Sequence, residues 1–190
     1  IYDASSGLLT EKRDNADKGP VYTYTLDGKL LTRKWARTDT SGNRMVTTYS
    51  YDAATGELTG VDYSDSTPDV TFTYDRMGRQ RQITDAAGAR AFAYNADFSL
   101  ASEAIAGIYT KVLSRSYDSA PGVKGRYAGI SIGAGYSVSY GYDEKGRMNN
   151  VSWNVNNVPG STTYSYLPSS DLLSGMSTVR TDGPGYTPVT

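Results

Sequence analysis

Val138-Ser139-Tyr140-Gly141-Tyr142-Asp143-Glu144-Lys145-Gly146-Arg147-Met148 places an apolar or aromatic side chain at every second position, then an acid, then a glycine three residues after the acid. Alternation with a period of two is the pattern of a strand that covers one face. Asp143 and Gly146 then supply what a tight turn requires: a carboxylate that accepts a backbone N–H, and a residue tolerant of positive φ. Val70-x-Phe72-x-Tyr74 followed by Asp75-Arg-Met-Gly78 is built in the same way. Both stretches predict a type I turn closed by a glycine bulge, the usual three-residue hairpin loop.

Tyrosine followed by Asp, or by a degraded form of that pair, recurs at Tyr2, Tyr24, Tyr51, Tyr74, Tyr94, Tyr117, Tyr142 and Tyr166, at intervals of 20 to 27 residues. Such a period marks a supersecondary unit that buries its apolar face only by stacking on its neighbours. The matching turn residues are Asp3 and Gly7, Asp27 and Gly28, Asp52 and Gly56, Asp75 and Gly78, Asp118 and Gly122, and Asp143 and Gly146, whereas Asn95 has no glycine after it. Leu26-Asp27-Gly28-Lys29 predicts a two-residue type I′ turn. Return turns are expected at 40–43, 85–88 and 156–160. The fold class that follows is all-β: tandem β-hairpin repeats, about eight, in one array over 1–190 with an irregular insertion near 101–135. Up to about 16 strands of right-handed twist must coil into a curved, spiralling antiparallel sheet. Counted from the turn glycine, Leu30, Leu58 and Met148 stand second and Val61, Ile83 and Val151 stand fifth, positions of opposite parity. Either a bulge resets the alternation or the strand bends.

Composition narrows the function. The 17 tyrosines supply the large buriable area that aliphatic residues do not. With no cysteine there is neither a disulfide framework nor a thiolate metal site, and with no histidine the commonest general base is missing. A net charge of -1 argues against nucleic acid as a partner. No run of 18 apolar residues predicts a membrane span, and no signal peptide is visible. The start at Ile1, without Met and directly on a repeat, predicts a piece of something longer. Asp14, Asp17 and Gly19, and the cluster Asp62, Asp65 and Asp69, lack the alternating oxygen spacing of an EF-hand. No metal, no cofactor and no enzymatic activity are therefore expected. Trp35, Tyr63 and Trp153 share the seventh position after the turn glycine and are the candidate ligand platform, with packing as the plainer explanation. Arg79 and Arg147 are expected to pair across strands with acids of the adjacent repeat. Gly183-Pro184-Gly185 predicts a terminal loop.

Tyr74-Asp75-Arg-Met-Gly78-Arg79-Gln80 and Tyr142-Asp143-Glu-Lys-Gly146-Arg147-Met148 resemble the Tyr-Asp (YD) repeat of the Rhs family, usually written Tyr-Asp-x-x-Gly-Arg-Leu. Related arrays occur in the B and C subunits of insecticidal toxin complexes, in bacterial polymorphic toxins and in animal teneurins, and the resemblance covers nearly the whole chain. It implies a sheet strip that spirals into a hollow shell around a cytotoxic C-terminal segment, of which 190 residues would form part of the wall. The family's Asp-Pro-x-Gly self-cleavage motif has no counterpart, because the chain contains no Asp-Pro. The partners so implied are the remainder of a larger shell protein and its toxin cargo, at a secreted or cell-surface location in bacteria. The alternative is a carbohydrate or cell-surface binding module that stacks glycans on its aromatic face. Two open sheet edges add an expectation of self-association.

Overall fold

A computed structural model describes residues 1–14 and 18–180. Asp17 of the first acidic cluster and the Gly183-Pro184-Gly185 stretch lie outside the described residues. Every regular element among the described residues is a strand, and fourteen of them follow in chain order, each hydrogen-bonded to the next in an open antiparallel sheet. Contacts divide the chain into two units, Ile1–Ala91 and Phe92–Thr190. The first holds β1 (Val21–Tyr24), β2 (Leu30–Thr38), β3 (Arg44–Tyr51), β4 (Leu58–Tyr63), β5 (Val70–Tyr74), β6 (Gln80–Asp85) and the start of β7 (Gly88–Tyr94). The second holds the rest of β7, then β8 (Leu100–Gly107), β9 (Lys111–Tyr117), β10 (Tyr127–Ile132), β11 (Tyr136–Tyr142), β12 (Met148–Val155), β13 (Val158–Tyr166) and β14 (Leu173–Arg180). The Tyr2 hairpin is reduced to a bridge between Tyr2 and Leu9.

A β-bulge resolves the parity conflict. Tyr51 faces Leu58 while Ser50 faces Gly60, so Thr59 is an extra residue on the outgoing strand. Arg81 and Asn149 are extra in the same way opposite Tyr74 and Tyr142. The extra residue flips the alternation, and the second and fifth positions return to one face: Tyr51 with Leu58 and Tyr49 with Val61. That face carries Phe72 with Ile83, Tyr140 with Val151 and Tyr164 with Met176. The other face is small and polar, as in Ser50 with Gly60, Thr73 with Gln82 and Ser139 with Ser152.

Cross-strand rows alternate ring and aliphatic. In an antiparallel array each incoming strand is flanked by outgoing ones, so equivalent tyrosines lie two strands apart, about 9.6 Å. Ring meets ring where an outgoing strand also supplies a tyrosine: Tyr127 lies 5.6 Å from Tyr117 and 5.5 Å from Tyr140. Within each unit the described strands leave little interior. Among the described residues Val61 is the one buried hydrophobic and Thr47, 2 % exposed, the one buried polar residue.

The turns keep one design with substitutions. Asp75 N–H donates to the Arg79 carbonyl and Gly78 N–H to the Asp75 carbonyl, with Gly78 at φ 75°. Residues 25–29 adopt this same loop, with Gly28 at φ 83°, and not the expected type I′ turn. Thr25 occupies the Asp position there, while Asp27 sits at the tip and binds the side chains of Thr25 and Lys29. In the Asn95 loop Phe98 takes the glycine position at φ 69°, a conformation disfavoured by roughly 1 to 2 kcal/mol for a residue with a Cβ. The Asp118 loop closes on Gly125, whose N–H donates to the Asp118 carbonyl, and Gly122 lies inside the loop. Gly122 stands four residues after Asp118, the spacing of the Asp3 and Asp52 turns, whereas this loop runs seven residues to the glycine that closes it. The last return turn is Asn156-Asn157, both at positive φ, which leaves Pro159 and Gly160 within β13.

Candidate functional site

The repeated tyrosine fastens one hairpin to the previous one. Its ring lies over the preceding turn, and its hydroxyl donates to the carbonyl of the second residue after that turn closes. Tyr24 reaches Leu9 (2.6 Å), Tyr51 reaches Leu30 (2.8 Å), Tyr117 reaches Leu100 (3.0 Å), Tyr142 reaches Tyr127 (2.8 Å) and Tyr166 reaches Met148 (2.7 Å). These acceptors are backbone atoms, so no residue pattern announced them.

The Asp corner is held from within its own turn. The Asp143 carboxylate accepts the N–H groups of Lys145 (3.0 Å) and Arg147 (2.9 Å) and the Arg147 Nε (2.7 Å). Asp75 accepts from Met77, the Arg79 amide and Arg79 Nε in the same geometry. Arg79 and Arg147 each bind the acid of their own turn, because four residues around a tight loop bring the two side chains together, and the expected pairing with an acid of the adjacent repeat is found beside it for Arg147. Arg147 also crosses to the Ser170 carbonyl (2.7 Å) and Asp171, and its guanidinium stacks 4.2 Å from the Tyr166 ring. Arg126 repeats this, binding Asp118 and stacking 4.1 Å from the Tyr142 ring. In the longer turns Asp3 accepts from the amides of Ser5 and Ser6, and Asp52 from those of Ala54 and Thr55.

Each of these hydrogen bonds favours the ionised acid. The arginine partner holds the carboxyls of Asp75 and Asp143 below the ordinary value of 3.8, and backbone amides do the same for Asp3 and Asp52. A depressed folded value means stabilisation that is complete above the unfolded value and is lost as pH falls through the folded one. The urea midpoint should be level from about pH 7 to 5 and fall below about pH 4. A midpoint unchanged at about pH 3 contradicts the assigned role of these acids.

The three aromatic residues at the seventh position differ in surroundings. Trp35 donates from Nε1 to the Thr47 hydroxyl (2.9 Å), and the Arg33 guanidinium lies 3.5 Å from its ring centroid. Arg37 stands 5.4 Å from the same ring, and Arg44 donates to the Trp35 carbonyl. This indole is engaged with its own sheet. Tyr63 faces Thr47 from the other side, so Trp35 and Tyr63 flank one buried hydroxyl. Trp153 lies across Gly160, where an added Cβ would meet the indole at 2.6 Å, and borders a cleft of about 490 Å³ with Val155, Asn156, Val158, Thr178 and Arg180. Asp65 accepts from the Thr67 amide and pairs with Arg37, Asp69 accepts from the Tyr63 amide, and Asp62 stands opposite Thr48 in the strand register. No group of three metal-ligating side chains is found among the described residues.

The geometry defines a class: a serial array of β-hairpins in which a tyrosine hydroxyl fastens one hairpin to its predecessor at five places. Solved structures share this fold. The crystal structure of TcdB2-TccC3-Cdc42 matches with a TM-score of 0.61 at 15 % identity, over 85 % of this chain and 9 % of that one. TcdB2-TccC3 without its hypervariable C-terminal region gives 0.61 at 16 % identity, over 85 % and 9 %. TcdB2-TccC3 gives 0.55 at 14 % identity, over 85 % and 10 %. The chain spans about a tenth of the length of these structures. No family model matches the chain, and no curated protein does.

Proposed function

We propose that this chain is a structural wall: a stretch of an Rhs-type β-shell, in a larger secreted or cell-surface bacterial protein, that encloses or presents a toxin and has no catalytic centre of its own. The observation that carries it is the equivalence of the tyrosine fastenings at five places, which makes the array extendable without a change of local rule. The fold held in common with the TcdB2-TccC3 structures supports it. The acids support its non-enzymatic part, since Asp3, Asp52, Asp75 and Asp143 recur as turn acceptors among the described residues.

A second reading, a glycan-binding module, is favoured by one feature, the cleft beside Trp153. Electron microscopy of the longer polypeptide that contains this segment tests the first reading: hollow particles whose cargo resists protease until the wall is opened are expected. Solid or extended particles overturn it. So does specific retention on a glycan array that Trp153→Ala abolishes, which would favour the module.

A further inference from the structure

The fifth position after the turn glycine lies on the aromatic face of the sheet, and where the strand is regular it is usually aliphatic: Val61, Ile83, Ile130 and Val151. Two repeats put a charge there, Arg33 and Glu103. Glu103 has its counter-charge, since Arg115 of the next strand pairs with it at 3.5 Å. Arg33 has none. It stands in a cross-strand row between Tyr22 and Thr47, and no hydrogen bond or ion pair joins its guanidinium to a described residue.

Packing holds this guanidinium in place without neutralising it. It lies 3.5 Å from the Trp35 ring centroid, and that indole is itself fixed by its bond to the buried Thr47 hydroxyl. The Arg33 Nε is sealed from solvent without a partner, whereas the two Nη atoms are not sealed. Those two form a forked edge that can accept both oxygens of one carboxylate. Arg37 stands 5.4 Å from the same ring and pairs with Asp65 at 3.6 Å, so the cluster keeps its surplus positive charge at Arg33. A half-buried guanidinium gains more from an oxyanion than an exposed one does, because less water competes for it.

We infer that Arg33 is a binding site for a side-chain carboxylate of an acidic polypeptide that lies across the Tyr22, Arg33 and Thr47 row. Arg33 occupies an indole face on which a sugar ring would stack. Recognition therefore rests on charge and forked hydrogen bonds, and a carboxylate on a flexible stem satisfies both. The site is independent of the shell reading, because it needs only β1, β2 and β3.

The probe is fluorescein-labelled hexaglutamate, titrated against the full chain at low salt, with hexaglutamine as its neutral counterpart. Expected are saturable binding of hexaglutamate alone and a shift of the Trp35 indole N–H resonance, with that of Trp153 unmoved. Arg33→Met should weaken binding by about tenfold, the loss of a charged hydrogen-bonded pair. It should still fold, since Val61, Ile83, Ile130 and Val151 fill the same repeat position. Lys34→Met removes the same charge from the opposite face and should change the affinity by less than about twofold. The inference is overturned by no saturation, by equal binding of hexaglutamine, by equal losses for the two variants, or by a shifted Trp153 resonance. Heparin bound more tightly than hexaglutamate, with the same dependence on Arg33, assigns the site to a sulfated glycan and overturns it too.

Discussion

Gly129→Ala should cost about 3 kcal/mol, near the upper end for overpacking, and lower the urea midpoint of the second unit accordingly. Gly129 lies inside β10 between Ser116 of β9 and Ser139 of β11. A Cβ there would stand 2.4 Å from the Val138 carbonyl oxygen and 3.2 Å from the Ser139 Cα. Both obstacles are backbone, so relief requires β11 to move away and the hydrogen bonds between the strands to lengthen. Gly175→Ala is the matched control, also a glycine inside a strand, with nothing within 4 Å of the added atom. Its effect should stay within a few tenths of a kcal/mol. Equal losses for the two variants would show that β10 and β11 approach less closely than described.

Tyr142→Ala should cost about 3 kcal/mol and Tyr142→Phe about 1 kcal/mol. The alanine variant removes the ring on which Arg126 stacks, the contact over Met148 and the hydroxyl that caps the Tyr127 carbonyl. The phenylalanine variant removes the last of these alone. Tyr2→Phe is the control: that residue is 69 % exposed, and the substitution should leave the denaturation midpoint unchanged. Chemical denaturation of the four proteins reads the series. A Tyr142→Phe midpoint equal to the parent's would reduce the fastening to ring packing.

The strands and their covered face were legible because period-two alternation is written in side chains, as in Val138-x-Tyr140-x-Tyr142. The turns were legible where Asp and Gly stand three or four residues apart. Legibility failed where backbone decides. The bulge was posed by the parity of Leu58 and Val61 and settled only by the pairing of Tyr51 with Leu58. Phe98 keeps a glycine conformation that no composition rule predicts. Gly125 took the role given to Gly122, and Asn156-Asn157 made a tighter turn than the Pro159-Gly160 that follows it. Among the candidate platform residues, equal repeat phase concealed unequal surroundings: Arg33 lies against Trp35, while Trp153 borders a cleft. Arg33 stands two residues before Trp35 on the same strand face, so its long side chain reaches the ring, a contact that a reading of aromatic spacing alone does not weigh.

The five tyrosine hydroxyl bonds each join consecutive hairpins, and that has a mechanical consequence. Tension applied at an end strand loads one row of bonds at a time, because among the described residues no second layer shares the load. Pulled from its last strand, the protein should yield like a zip at a low and nearly constant force, shedding rows of about 25 residues.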